Sequence, residues 1–248
     1  MGNLMLDNIK PIVSEKIKPF FEEVLLSYSN IVHSIHIVGS SLTEDYHEKT
    51  TLINSIFVLK AMDLKFIESL APYGRKYHKK GVAAPLVMTP EYIRTSLDVF
   101  PLEFADCKFM HQTVFGEDIL RDLEISMPDL RQQCEREIKS KLIGLRQAYI
   151  SSVGDRRMLT ERFISSMAGF MPLFRGIILL MGKERPIRED HVLSELAAST
   201  GVNIAVFKRL QDMRKKKLTL SKDEMNTVFE EYYGTAEKIG DIIDELRF

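Results

Sequence analysis

Tryptophan is absent from this chain of 248 residues, and only two cysteines occur, Cys107 and Cys134. Two thiols are too few for a disulfide framework or a cysteine-based zinc site, and both are expected to be reduced. Net charge is almost lacking: 34 Lys and Arg stand against 35 Asp and Glu. No global field therefore draws the chain to nucleic acid or to a membrane. No apolar run approaches the ~18 residues of a spanning helix; the densest is Gly176 to Gly182. The start, MGNLMLDNIK, lacks the basic residues and apolar stretch of a secretory signal. Leu6 stands where a myristoylation site has Ser or Thr. Walker, Rossmann and nucleophile-elbow patterns are missing too. These absences lead to the expectation of a cytoplasmic protein with no membrane partner.

What is present is a hydrophobic periodicity that changes along the chain. Residues 8–28 place Ile9, Val13, Ile17, Phe20 and Val24 at helical spacing, with Asp7 as cap and Pro19 expected to kink or split the helix. Residues 31–38 (IVHSIHIV) and 53–59 (INSIFVL) read as strands. Asp63 caps a helix to about Tyr77 with Leu64, Ile67, Leu70 and Ala71 inward. Residues 83–88 form a third strand, Thr89-Pro90-Glu91 opens a short helix, and residues 99–106 (VFPLEFAD) read as a fourth strand. From about residue 126 the strand signal vanishes. Helices are expected over 128–150, then from Asp155 through an apolar stretch kinked at Pro172, then over 190–199 and 203–215. A last helix starts at the capping box Ser221-Lys222-Asp223-Glu224. The fold class is α+β: a mixed-sheet domain at 1–122 followed by an all-α bundle at 123–248.

The stretch from Ile35 to Lys60 organises the rest. It runs strand, Gly39-Ser40-Ser41 turn, polar connection, strand. This resembles the signature of the polymerase-beta-like nucleotidyltransferases, including the small aminoglycoside-modifying type. That signature is an apolar strand, Gly-Ser or Gly-Gly, a connection, then Asp-x-Asp or Asp-x-Glu leading a second apolar strand. A third carboxylate comes from a later strand. The resemblance implies that Gly39, Ser40 and Ser41 hold nucleotide phosphates, through backbone N–H groups and hydroxyls. It also implies that acids holding two Mg²⁺ ions belong at Leu52 and Asn54. Leu52 has no donor atom, and Asn54 offers only a neutral carbonyl oxygen. Residues 49–59 contain no acid, so sliding the frame restores nothing. Glu103 and Asp106, on the expected fourth strand, are the residual candidates for the third acid, against the plainer reading as strand-edge charges. Glu44, Asp45 and Glu48 lie in the connection and read as solvated loop charges.

The expected function is that of a nucleotidyltransferase-like protein with impaired catalysis that retains nucleotide binding, or binds an RNA or a protein partner. A second reading is an active enzyme moving a nucleotidyl group from an NTP to a hydroxyl, with Mg²⁺ held by Glu44, Asp45, Glu103 or Asp106. A third is a regulatory module that forms a homodimer through its helical half. No cofactor is expected unless the enzyme is active. Elsewhere, Arg75 to Lys80 reads either as a solvated helix end suited to the C-terminal dipole or as a contact for nucleotide or RNA phosphates. Arg214 to Lys217 is a similar run. Arg185 and His191 resemble the Arg…His pair of the HEPN ribonucleases in spacing alone. His33 and His36 are not spaced for one face of a strand and are not expected to pair on a metal.

Overall fold

The computed structural model describes residues 4–152, 155–166, 169–216 and 221–248. The chain divides into two compact units, Met1–Asp98 with Phe104–Glu124, and Val99–Glu103 with Ile125–Phe248. The first carries the sheet. Helix α1 (Pro11–Tyr28) leads to strand β1 (Val32–Val38), the one-turn helix Gly39–Leu42 and β2 (Asn54–Leu59). Then come α2 (Leu64–His78), β3 (Leu86–Met88), α3 (Pro90–Thr95), α4 (Pro101–Phe109) and β4 (His111–Gly116). The strand order is β3-β2-β1-β4. β1 pairs antiparallel with β2 and β4, and β2 pairs parallel with β3.

One face of this sheet is apolar. Ile35, Ile37, Phe57 and Leu59 are fully buried and pack with Val13, Ile17, Phe20 and Phe21 of α1. The rings join end to end, with Phe20 stacked on Tyr77 at 4.9 Å and Phe21 edge-on to Phe57 at 5.3 Å. Pro19 neither kinks nor splits α1, which runs through it. Pro19 is exposed, so the carbonyl it leaves without a partner meets water. In α2 the buried residues are Phe66, Leu70 and Tyr77, whereas Leu64, Ile67 and Ala71 are exposed. The spacing 66, 70, 77 is as helical as 64, 67, 71, and the two aromatic rings bury more area. Asp63 does cap this helix, accepting from the N–H groups of Lys65 and Phe66.

The fourth strand is not where the sequence placed it. Residues 101–109 are helix α4, with Pro101 in the first turn and Lys108 in the last. The strand is His111–Gly116. Its inward residues include His111 and Thr113, so it lacks the apolar alternation that announces a strand. It closes tightly on β1. A Cβ on Gly116 (φ +73) would lie 2.0 Å from the His33 carbonyl oxygen, so only glycine fits.

The second unit is helical: α5 (Met127–Ser152), α6 (Arg156–Ser166), α7 (Phe170–Leu180), α8 (Glu189–Thr200), α9 (Ala205–Lys216) and α10 (Lys222–Glu245). Its core is built on Phe163, Phe170, Phe174, Phe207 and Tyr232, all fully buried. Phe207 meets Phe174 at 4.9 Å and Tyr232 at 5.3 Å, both edge to face. Pro172 lies in the first turn of α7, where its missing N–H has no intrahelical partner to lose. The Ser221–Glu224 capping box is present with both of its bonds. The stretch Arg157–Leu180 does have the length and apolar composition of a membrane-crossing helix, which the residue-by-residue reading passed over. Most of it is buried inside the bundle, as suits a core helix. Neither cysteine is in a disulfide; Cys134 is buried, and burial pushes its thiol up to about 12.

Candidate functional site

The polar face of the sheet carries the Gly-Ser turn. β1 ends at Val38, and Gly39 turns the chain with φ +80, its N–H donating to the Met110 carbonyl at 2.8 Å. No atom outside its chain neighbours lies within 4 Å of a Cβ built there, so the space over Gly39 is open. Ser40 is exposed, while Ser41 is buried and its hydroxyl has no partner among the described residues. The turn is braced from below. The Thr43 hydroxyl donates to the Ser40 carbonyl at 3.0 Å, and Lys10 of the segment leading into α1 donates to the Thr43 carbonyl.

The register places Asn54 directly opposite Val38, the last residue before the turn. Leu52, two residues earlier, is 38% exposed. Antiparallel pairing therefore sets Asn54 beside the start of the Gly39-Ser40-Ser41 turn. On β3, Leu86 is paired with Ile56 and thus shares the face of Asn54, and it is 53% exposed. On this face the strand positions beside the turn are thus asparagine and leucine, and Leu52 precedes them in sequence. This set does not fit a divalent-metal centre, which needs several oxygen donors, carboxylates foremost. Among the described residues no group of three or more His, Cys, Asp and Glu side chains could hold a metal ion.

The other acids are engaged elsewhere. Glu103 and Asp106 lie on helix α4, not on a strand, which corrects the expected third-acid position. Glu103 accepts from the Gln133 side chain at 2.7 Å. Glu48 is bound by Lys16 at 3.0 Å. Arg185 sits in the connection before α8, and His191 is exposed in the first turn of that helix. The basic run Arg214 to Lys217 lies outside the described side chains.

What the sequence reading missed is a buried polar file across β1 and β4. His36 is fully buried. Its Nε2 lies 2.8 Å from the Ser34 hydroxyl and its Nδ1 2.9 Å from that of Thr113. His111 stands beside it, ring centres 6.1 Å apart. Its Nδ1 donates to the carbonyls of Cys107 and Lys108 at 3.0 Å, and its Nε2 faces Asp118 at 2.8 Å. Burial, then the neighbouring His111, pushes His36 down to about 4, so it is neutral at pH 7. Burial would raise Asp118, but the hydrogen bond and charge of His111, with Thr113 and Arg121, hold it below the usual carboxylate range. Every ring nitrogen in the pair has a partner, so neither ring is placed to take a proton from a substrate. The file is a strut for the face that carries the turn. His33 faces Glu117 at 3.3 Å.

The sequence matches no protein-family model and no curated protein. Among solved structures, the fold is similar to that of the spectinomycin adenyltransferase AAD(9) from Enterococcus faecialis, with ATP and spectinomycin. The TM-score is 0.54 and the identity 12%, over 91% of this chain and 97% of that one. The chain therefore has a nucleotidyltransferase-like fold, a mixed four-stranded sheet followed by a helical region.

Proposed function

We propose that this is a nucleotidyltransferase-like protein that binds a nucleotide at Gly39-Ser40-Ser41 and does not transfer it. The observation that carries the reading is the pairing of Asn54 with Val38 at the mouth of the turn, with Leu52 and Leu86 exposed alongside. The open space over Gly39 and the unpartnered Ser41 hydroxyl favour a retained phosphate contact. The missing carboxylates remove the means of neutralising the charge that develops on a transferring phosphoryl group, at a cost of several kcal/mol in the transition state. The adenyltransferase of similar fold is described with ATP, which makes adenine nucleotides the first ligands to try.

Thermal unfolding with a panel of NTPs, with and without Mg²⁺ and Mn²⁺, tests this directly. Nucleotide at 100 times its Kd should add about 2.7 kcal/mol, a rise of several degrees for a chain of this size. The rise should not need metal, and labelled NTP should not be transferred to any acceptor. A rise that requires both nucleotide and metal, accompanied by label transfer, would overturn the loss of activity. The absence of any rise would overturn nucleotide binding.

A further inference from the structure

The fold gathers positive charge along one border of this site, although the whole chain carries a net charge of −1. The segment after α2 turns back beside β2: the Ile53 N–H donates to the Gly81 carbonyl at 2.8 Å, and the Ala83 N–H to the Ile53 carbonyl at 2.9 Å. A Cβ on Gly81 would stand 3.5 Å from the Lys16 Nζ and 3.8 Å from the Glu48 carbonyl oxygen. The backbone at Glu48, next to Lys49, thus lies by Gly81, two residues past Lys79 at the end of α2. Ile53, which bonds to Gly81 and Ala83, lies between Leu52 and Asn54.

The two carboxylates at this edge are both used. Glu48 takes Lys16, and Glu23 takes Lys76 at 2.8 Å. Lys80 lies 5.2 Å from the Tyr77 ring centre, within the field of Glu23. Lys49, Arg75 and Lys79 are exposed and have no carboxylate partner among the described residues. Arg75 and Lys79 are four residues apart at the end of α2, hence neighbours on its surface. The helix dipole accounts for cations in the last turn. It does not account for Lys49, which comes from another element. The aromatic ring within the patch, Tyr77, is 2% exposed beneath the lysines and offers no stacking platform.

We propose that this edge binds the phosphodiester backbone of RNA, without reading bases. A row of unpaired cations with no exposed tyrosine, phenylalanine or tryptophan ring fits phosphate contact better than base stacking. The surface is separate from the Gly-Ser turn, and the proposal does not depend on nucleotide binding there. The test is fluorescence anisotropy of a labelled 20-base-pair RNA duplex titrated with the full chain at 50 and 200 mM salt. Micromolar binding is expected, weakening roughly 40-fold over that range if about three phosphates are contacted. The triple variant Lys49→Glu, Arg75→Glu, Lys79→Glu should lose at least tenfold in affinity, with circular dichroism and the nucleotide-induced melting shift unchanged. Arg136→Glu, an exposed cation on α5, should bind like the parent. Three outcomes would overturn the proposal. One is no binding at 50 mM salt. Another is equal binding by the triple variant. The last is binding of inorganic polyphosphate, an acidic polypeptide or a single strand in preference to the duplex.

Discussion

The two units bury polar groups in different ways. The helical unit closes around five aromatic rings in tilted and edge-to-face contact, with the Tyr232 hydroxyl 2.7 Å from that of Ser166. The sheet unit buries a comparable ring cluster on one face only. On its other face Ser34, His36 and Thr113 are buried and bonded to one another, and His111 and Asp118 continue the file. An apolar face alone would hold the sheet together. The polar face is kept where the Gly-Ser turn emerges, and its bonds fix the positions of β1 and β4 beside that turn. The contrast teaches that a buried hydrogen-bonded file holds its members together, because removing one leaves the others unpaired.

The contrast can be sharpened first at the aromatic core. Phe207→Ala should cost about 4 kcal/mol and release amide protection in the helical unit before the sheet unit, as hydrogen exchange would show. Equal loss in both units would break the distinction. Gly116→Ala tests the sheet unit in the same way. The His33 carbonyl leaves no room for the methyl group, so a loss of about 3 kcal/mol is expected. Gly39→Ala meets nothing but its own positive φ and should lose only about 1 kcal/mol. Similar losses at the two glycines would show that the close approach of β4 to β1 is not what Gly116 serves.

Acid provides the third test. His36 sits at about 4 in the folded chain against an ordinary 6.5, so the unfolded chain takes up more protons between those values. Stability must therefore fall as pH drops from 6.5 towards 4, by about 2 kcal/mol at pH 5. Asp118, held low, pulls in the same direction at lower pH. Denaturant unfolding at pH 7 and pH 5 should show the loss in the sheet unit, and His36→Gln should abolish most of the slope. An unchanged slope in that variant would place the titrating group elsewhere.

Much of this architecture was legible in the sequence. β1, β2, the Asp63 cap and the Ser221 capping box announce themselves through alternation and cap chemistry, which act locally. The site frame was legible too, since β1, the turn and β2 are contiguous. β4 was not, because half of its inward face is polar and its partners, His36 and Ser34, lie far back in the chain. α4 was misread because Val99, Phe100, Leu102 and Phe104 have strand-like composition, and the helix-starting role of Pro101 was the stronger signal. The inward face of α2 was lost to a similar tie, two helical stripes of which the aromatic one won. The basic edge needed the turn at Gly81 to bring the end of α2 to the backbone at Glu48, and no local pattern encodes that.

The strand order has a consequence for how the chain is made. β1 lies in the middle of the sheet but is synthesised first, and its partner His111–Gly116 is more than seventy residues away. Pairing with β2 needs only a short loop, so one side of β1 is covered early. The other side waits until the ribosome has delivered α2, α3 and α4. During that interval Val32–Val38 is a nascent edge with unpaired backbone groups, open to pairing with another chain. His36, a polar residue in the middle of that strand, makes an apolar mispairing costly, so a residue that props the finished sheet also guards it while it is unfinished.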